Sequence, residues 1–281
     1  MPTFNAADGT RLHYTVEGSG PHLVCQPGGP GRAAAYLEDL GGLTGTRTVV
    51  RLDARATGGS EVPADPASLA FPRLADDLVA LLDHLGLDRA DVLGHSAGAI
   101  VLQALAAQHA GRLRRLVLVT PSSRLQAPDF PDVGAIRAAR SGEPWYAEAV
   151  EAAEALAEGM PGAVTQQLVR QTRPFFYGRW DERQQAHAAT ADSQSSRRAE
   201  LGFRQAGGTD TAGLLAALRV VTAPVLVVAG ERDGLTGVAS AHRVAGSFPD
   251  ARVAVLTGAG HFPWVDEPQA FREVVEEFLA E

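Results

Sequence analysis

The chain has 281 residues, 45% of them hydrophobic and 21% charged, enough to bury a substantial core as one large domain or a domain with a sizeable insertion. Its formal net charge of -8 argues against the basic face that a nucleic-acid partner needs, and no apolar run approaches the roughly 20 residues that would cross a bilayer. All 25 basic residues are arginine, which excludes Schiff-base, P-loop and Ser-Lys chemistry, while the single Cys25 allows neither an internal disulfide nor a thiolate metal cluster.

The opening MPTFNAADGTRLHY lacks the basic start and apolar block of a secretory signal, so a cytoplasmic location is expected. Residues 3–17 predict two short strands around the turn ADG. HLVCQ at 22–26 predicts a third strand, followed by the loop PGGPG and a helical pattern over 32–40, and RTVVRLD at 47–53 predicts a fourth. The apolar spacing over 71–87 predicts an amphipathic helix with Pro72 in its first turn. The strand ADVLGHS then runs into a helix at 97–110, and LRRLVLVT at 113–120 predicts another strand. Farther on, 223–230 and 251–258 predict strands separated by one helix, and 268–280 a closing amphipathic helix.

Short, nearly all-apolar strands alternating with helices predict an α/β fold, a mostly parallel, doubly wound sheet covered on both faces. Between 123 and 222 this rhythm gives way to helical Ala/Glu/Gln/Arg patterns and the aromatic stretch RPFFYGRW. The expected organisation is a core built from 1–122 and 223–281, with 123–222 as a helical cap.

Ligands of open parallel sheets collect outside the carboxyl ends of the strands. Three polar residues stand there: Ser96 after DVLGH, Asp233 after VLVVAGER and His261 after VAVLTGAG. A serine hydroxyl is a poor nucleophile and needs a base to take its proton, so His261 is the candidate base. Asp233 would fix its tautomer and stabilise its charged form. Gly94 and Gly98 leave room for a tight strand-to-helix turn at Ser96. An oxyanion needs fixed N–H donors; Ala97 at the helix start supplies one and the GGPG loop another, with Gly29 favoured because Pro30 has no N–H.

Each residue also has a plainer reading. Ser96 alone could be a helix N-cap. His95 is expected to be structural, because adjacent residues on a sharp turn point apart. His13, His22, His84, His109, His187 and His242 are expected at the surface or in packing. Asp53 is expected to pair with Arg55, and Cys25 to be a small buried hydrophobe. Trp145, Phe175, Phe176, Tyr177 and Trp180 read as cap core rather than pocket. On paper, Gly29-Pro30-Gly31-Arg32-Ala33-Ala34 followed by Asp53 also fits a dinucleotide fingerprint, but that reading leaves the Ser-Asp-His placement unexplained.

Together GGPG, DARATGGS, GHSAG, GERDG and GAGHFPWVDEP resemble the alpha/beta-hydrolase superfamily, most closely its prolyl iminopeptidase-like branch, over about residues 10–122 and 223–281. The chain departs from that branch in Pro27 before the GGPG, in Ala54 and Ala56 of the DARATGGS stretch, and in His95 and Ala97 around the serine. The resemblance implies a cofactor-free, metal-free serine hydrolase with a small-molecule or short peptide substrate, leaning to aminopeptidase or amidase activity. The alternatives are an esterase or thioesterase on a small metabolite, or a non-catalytic receptor on the same fold.

Overall fold

The computed structural model describes residues 2–159, 164–205 and 209–281. Parts of the expected cap at 160–163 and 206–208 lie outside the described residues. The strands are β1 (Thr3–Asn5), β2 (Arg11–Glu17), β3 (His22–Gln26), β4 (Thr48–Leu52), β5 (Ala90–His95), β6 (Leu113–Val119), β7 (Val225–Gly230) and β8 (Ala251–Leu256). They form one sheet in the order β1-β2-β4-β3-β5-β6-β7-β8. Pairing is antiparallel for β1 with β2 and β2 with β4, and parallel from β4 to β8. β5 and β7 are buried at every position, as continuous apolar strands covered on both faces must be.

Helices α1 (Phe71–His84) and α2 (Ala97–His109) cover one face. α1 buries Leu74, Leu78, Leu81 and Leu82 along one stripe. It ends three residues before the sequence pattern does, because Leu87 N–H bonds to Leu82 O at 2.9 Å and Gly86 N–H to Asp83 O at 3.1 Å. This paired closure satisfies the last carbonyls and turns the chain toward β5.

The helical pattern over 32–40 is realised only as a single tight turn at Ala34–Leu37. The N–H of Ala34 is taken by Asp53 Oδ1 at 2.7 Å and that of Ala33 by Gln194 O at 2.9 Å. The backbone then turns left-handed at Glu38 and Leu40, so a longer helix cannot propagate. Its side chains still pack inward, Tyr36, Leu37 and Leu40 joining the core of the second face.

Between β6 and β7 the described residues form α3 (Val133–Ala138), α4 (Tyr146–Ala157), α5 (Thr165–Thr172), α6 (Glu182–Ala189), α7 (Ala191–Gln194), α8 (Arg197–Arg204) and α9 (Thr211–Leu218). Leu214 and Leu218 of α9 share the core cluster of α1 and α2, so this last helix lies against the sheet layer. α10 (Gly237–Ala245) follows β7, and after β8 come α11 (Pro263–Asp266) and α12 (Pro268–Ala280). α12 buries Phe271, Val275, Phe278 and Leu279 on the second face, the helical spacing read in the sequence. No helix among the described residues is long and apolar enough to cross a membrane.

One expectation for the loop after β4 is corrected. Asp53 does not pair with Arg55: its Oδ2 meets His13 Nδ1 at 2.8 Å and Gly59 N–H at 3.0 Å. Arg55 instead forks onto Asp77 of α1, at 2.7 and 2.6 Å, and reaches Asp8. With its carboxylate consumed in this way and no full helix behind the glycine loop, Asp53 has nothing to offer a ribose, which removes the physical basis of the dinucleotide reading.

Candidate active site

Ser96 occupies the junction of β5 and α2 with φ 53° and ψ −116°, a left-handed backbone at a residue with a side chain. Such a conformation costs about 1–3 kcal/mol and persists only where its surroundings impose it. The surroundings do so by close approach. A Cβ on Gly94 would lie 2.8 Å from a Leu102 methyl, and one on Gly98 would lie 2.5 Å from Gln26 O, so the turn is tight enough only with both glycines. Ser96 stands at the N-cap position of α2, but its side chain makes no capping bond. The hydroxyl is left for other work.

Asp233 and His261 come together as their positions after β7 and β8 suggested. His261 Nδ1 lies 2.9 Å from Asp233 Oδ2, and both side chains are almost wholly buried. A carboxylate can only accept, so Nδ1 carries the hydrogen, and in the neutral form of the ring the lone pair is on Nε2. Asp233 also accepts from Leu235 N–H at 2.9 Å, Thr236 N–H at 3.1 Å and Thr236 Oγ1 at 2.6 Å. Burial pushes its pKa up, but the charge and hydrogen bond of His261 with these donors outweigh it, and the carboxyl sits below its ordinary value. No hydrogen bond joins His261 to the Ser96 hydroxyl; the imidazole, held by Asp233, lies edge-on to the ring of His95 with centroids 4.8 Å apart.

His95 points away from the cavity, as expected, into a buried hydrogen-bond chain. Its Nε2 faces His261 O at 2.9 Å, and its Nδ1 faces Tyr36 OH at 2.8 Å. A carbonyl only accepts, so Nε2–H donates to it and Tyr36 OH donates to Nδ1. Tyr36 OH in turn accepts Gly28 N–H at 2.7 Å. The glycine loop, the serine turn and the histidine loop are thus linked by one chain of neutral hydrogen bonds. His187 of α6 repeats the pattern, with Tyr177 OH on Nδ1 at 2.7 Å and Tyr36 O on Nε2 at 2.9 Å.

Burial holds His95 well below the ordinary histidine value, with the nearby His261 charge adding to it, and burial brings His187 down to about 4. Both are neutral in the fold, whereas in the unfolded chain they take up protons below about pH 6.5. The unfolded state then binds more protons, so stability rises with pH in the window from about 4 to 6.5. Urea midpoints between pH 6.5 and 5 are expected to fall, each histidine contributing up to about 1.4 kcal/mol per pH unit. A midpoint constant over that range would contradict the neutral network.

The histidine loop has a second anchor that sequence reasoning missed. Asp266, fully buried on α11, accepts Gly260 N–H and Gly178 N–H, both at 2.8 Å on Oδ2, and Gln184 Nε2 at 3.0 Å on Oδ1. It therefore pins the residue before His261 to the 175–178 segment, where His261 N–H also bonds Phe176 O at 2.7 Å. Burial raises the Asp266 pKa against the pull of these three donors. The only advance signal was an acid close behind the histidine in GHFPWVDEP.

Above Ser96 lies a cavity of about 400 Å³, lined also by Gly29 and Ala97. Neither of these residues donates its N–H to a protein acceptor among the described residues. Its apolar wall comes from Phe71, Ile100, Leu125, Phe130, Phe203 and Leu235. Trp145, Phe175, Phe176, Tyr177 and Trp180 do not line it; Phe175 and Tyr177 are buried core, as expected. Phe130 and Phe203 went unnoticed because single aromatics on irregular or short helical segments leave no periodic trace. Among the described residues, no group of His, Cys, Asp and Glu is placed to hold a metal ion.

A family model of the alpha/beta hydrolase fold matches residues 21–268. RutD of Caulobacter vibrioides, named as a carbamate hydrolase, is 29% identical over 286 residues, covering 99% of this chain and 97% of that protein. A 2-hydroxymuconate semialdehyde hydrolase of Pseudomonas putida is 27% identical, covering 95% of this chain and 86% of its own. The solved enol-lactonase of Burkholderia xenovorans LB400 superposes with a TM-score of 0.73 at 26% identity, over 100% of both chains. The sheet order, the strained turn after β5 and the match across nearly the whole chain agree: the protein belongs to the alpha/beta hydrolase fold family.

Proposed function

We propose that the protein is a serine hydrolase of small carboxylic esters or lactones, with Ser96 as nucleophile, His261 as base, Asp233 as its orienting acid, and Gly29 and Ala97 as oxyanion donors. The observation that carries this reading is the strained Ser96 turn in the wall of a cavity, together with the buried Asp233–His261 pair, whose Nδ1 contact leaves Nε2 as the basic nitrogen. In the reaction Ser96 Oγ attacks the carbonyl carbon while His261 Nε2 takes the hydroxyl proton. The oxyanion meets the two N–H groups, each worth about 3–4 kcal/mol in such sites. Collapse expels the alcohol, which takes the proton from His261 and leaves an acyl-serine. Water then attacks the acyl carbon, gives its proton to Nε2, and the released serine recovers it. The transfer needs Ser96 Oγ within hydrogen-bond reach of Nε2, a bond that commonly tightens only around substrate.

The cavity chemistry ranks ester above aminopeptidase cleavage. An aminopeptidase must hold a substrate ammonium, and the cavity wall carries no Asp or Glu among the described residues. Residues 123–222 act in this reading as the cap that closes the cavity, with 1–122 and 223–281 as the catalytic core. The test is a parallel assay of short p-nitrophenyl esters against aminoacyl-naphthylamides, proline included. Ester turnover without naphthylamide release is expected; turnover of prolyl-naphthylamide alone would reverse the ranking, and the absence of any fluorophosphonate labelling would favour a receptor.

A further inference from the structure

Resting on that hydrolase reading, we infer that the site selects substrates bearing a free carboxylate, received by the guanidinium of Arg124 at the cavity mouth. Two cations, Arg124 and Arg204, line the cavity together with Ser96. Both are exposed, whereas Phe71 and Ile100 are buried, so the apolar floor lies by the serine and the positive charge at the rim. Arg204 is partly met by Glu200 at 3.4 Å.

Arg124 has no acidic partner among the described residues. The acid nearest to it along the chain, Asp129, is taken by Arg243 at 3.0 Å. What holds Arg124 is a ring: its guanidinium carbon lies 5.2 Å from the centroid of Phe130, itself part of the cavity wall. A cation–ring contact of this kind holds the guanidinium against the cavity wall while leaving its N–H donors for a ligand. The residue also has a fixed relation to the nucleophile. Ser122 N–H reaches Ser96 O at 3.4 Å, and Arg124 follows two residues later on the same segment.

A planar fork of donors at the rim of an otherwise apolar cavity matches a carboxylate, which accepts two parallel hydrogen bonds from it. A scissile carbonyl at Ser96 and a carboxylate at Arg124 describe a half-ester or a lactone acid, with a short apolar chain between its two ends. The absence of acids from the described lining leaves nothing there to repel such an anion.

The experiment compares monoethyl adipate and monoethyl glutarate with ethyl hexanoate by pH-stat titration, in the wild type and in Arg124→Gln and Arg204→Gln. Adipate binding is measured beside it by calorimetry. The half-esters are expected to show kcat/KM about tenfold above the neutral ester, a difference that 0.5 M salt erodes. Arg124→Gln should remove the preference through KM while leaving ethyl hexanoate within about twofold, and should abolish adipate binding. Arg204→Gln should cost less, its charge being shared with Glu200. A neutral ester preferred by the wild type, or an Arg124→Gln variant that slows both substrates alike, overturns the inference while leaving the hydrolase reading intact. A chain that labels with no fluorophosphonate and turns over no ester overturns the hydrolase reading, and adipate binding then decides the charge selection by itself.

Discussion

Ser96→Ala is expected to abolish ester hydrolysis, with kcat lower by about 10⁴-fold or more, and to end labelling by a fluorophosphonate probe. The size follows from the division of labour in such sites. Without the nucleophile no acyl-serine forms, and the base and oxyanion donors then assist only the direct attack of water. The fold should scarcely notice the change. The Ser96 side chain makes no capping bond, and the left-handed strain at this position belongs to the backbone and is the same for alanine. Unchanged thermal unfolding beside lost turnover is therefore the paired readout. Activity of the variant within about tenfold of the wild type would remove Ser96 from the mechanism.

Asp266→Ala is expected to destabilise the protein by about 3 kcal/mol or more and to lower activity with it. It would leave the buried N–H groups of Gly178 and Gly260 and the Gln184 amide without an acceptor, and unmet donors in such places cost about 1–3 kcal/mol each. Gly260 directly precedes His261, so the loss should spread to the orientation of the imidazole. Asp266→Asn gives a sharper test. Its carbonyl oxygen can still accept both glycine N–H groups, and its new NH₂ meets Gln184, whose Oε1 is buried without a partner. Flipping the Gln184 amide then restores every bond, so Asp266→Asn should keep most of the stability that Asp266→Ala loses. Chemical denaturation of the two variants checks this, and equal losses would show that the negative charge matters rather than the geometry.

The strands were legible in the sequence because a strand buried on both faces must be apolar throughout, as in VLVVAG and HLVCQ. The amphipathic helices at 71 and 268 were legible for the related reason that one stripe is buried. The 32–40 segment was misread. Its apolar side chains do go inward, but Asp53, distant in sequence, claims an N–H that a helix would have left to its own first turn. The same carboxylate defeated the expected Asp53–Arg55 pair. Both residues stand in the loop after β4, where no strand periodicity sets their directions, and each found a partner elsewhere in the fold, His13 for one and Asp77 for the other.

By itself the sequence determined the layered α/β architecture and pointed to Ser96, Asp233 and His261 as candidates, since small glycines around a serine and polar residues just after apolar strands are local features. The contact of Asp233 with His261, the Gly28–Tyr36–His95–His261 chain, the Asp266 anchor and the cavity with Arg124 at its rim were decided only by the tertiary structure. Each of these brings together groups far apart along the chain whose hydrogen-bonding and charge needs are met in three dimensions, and no periodicity in one dimension records such a meeting.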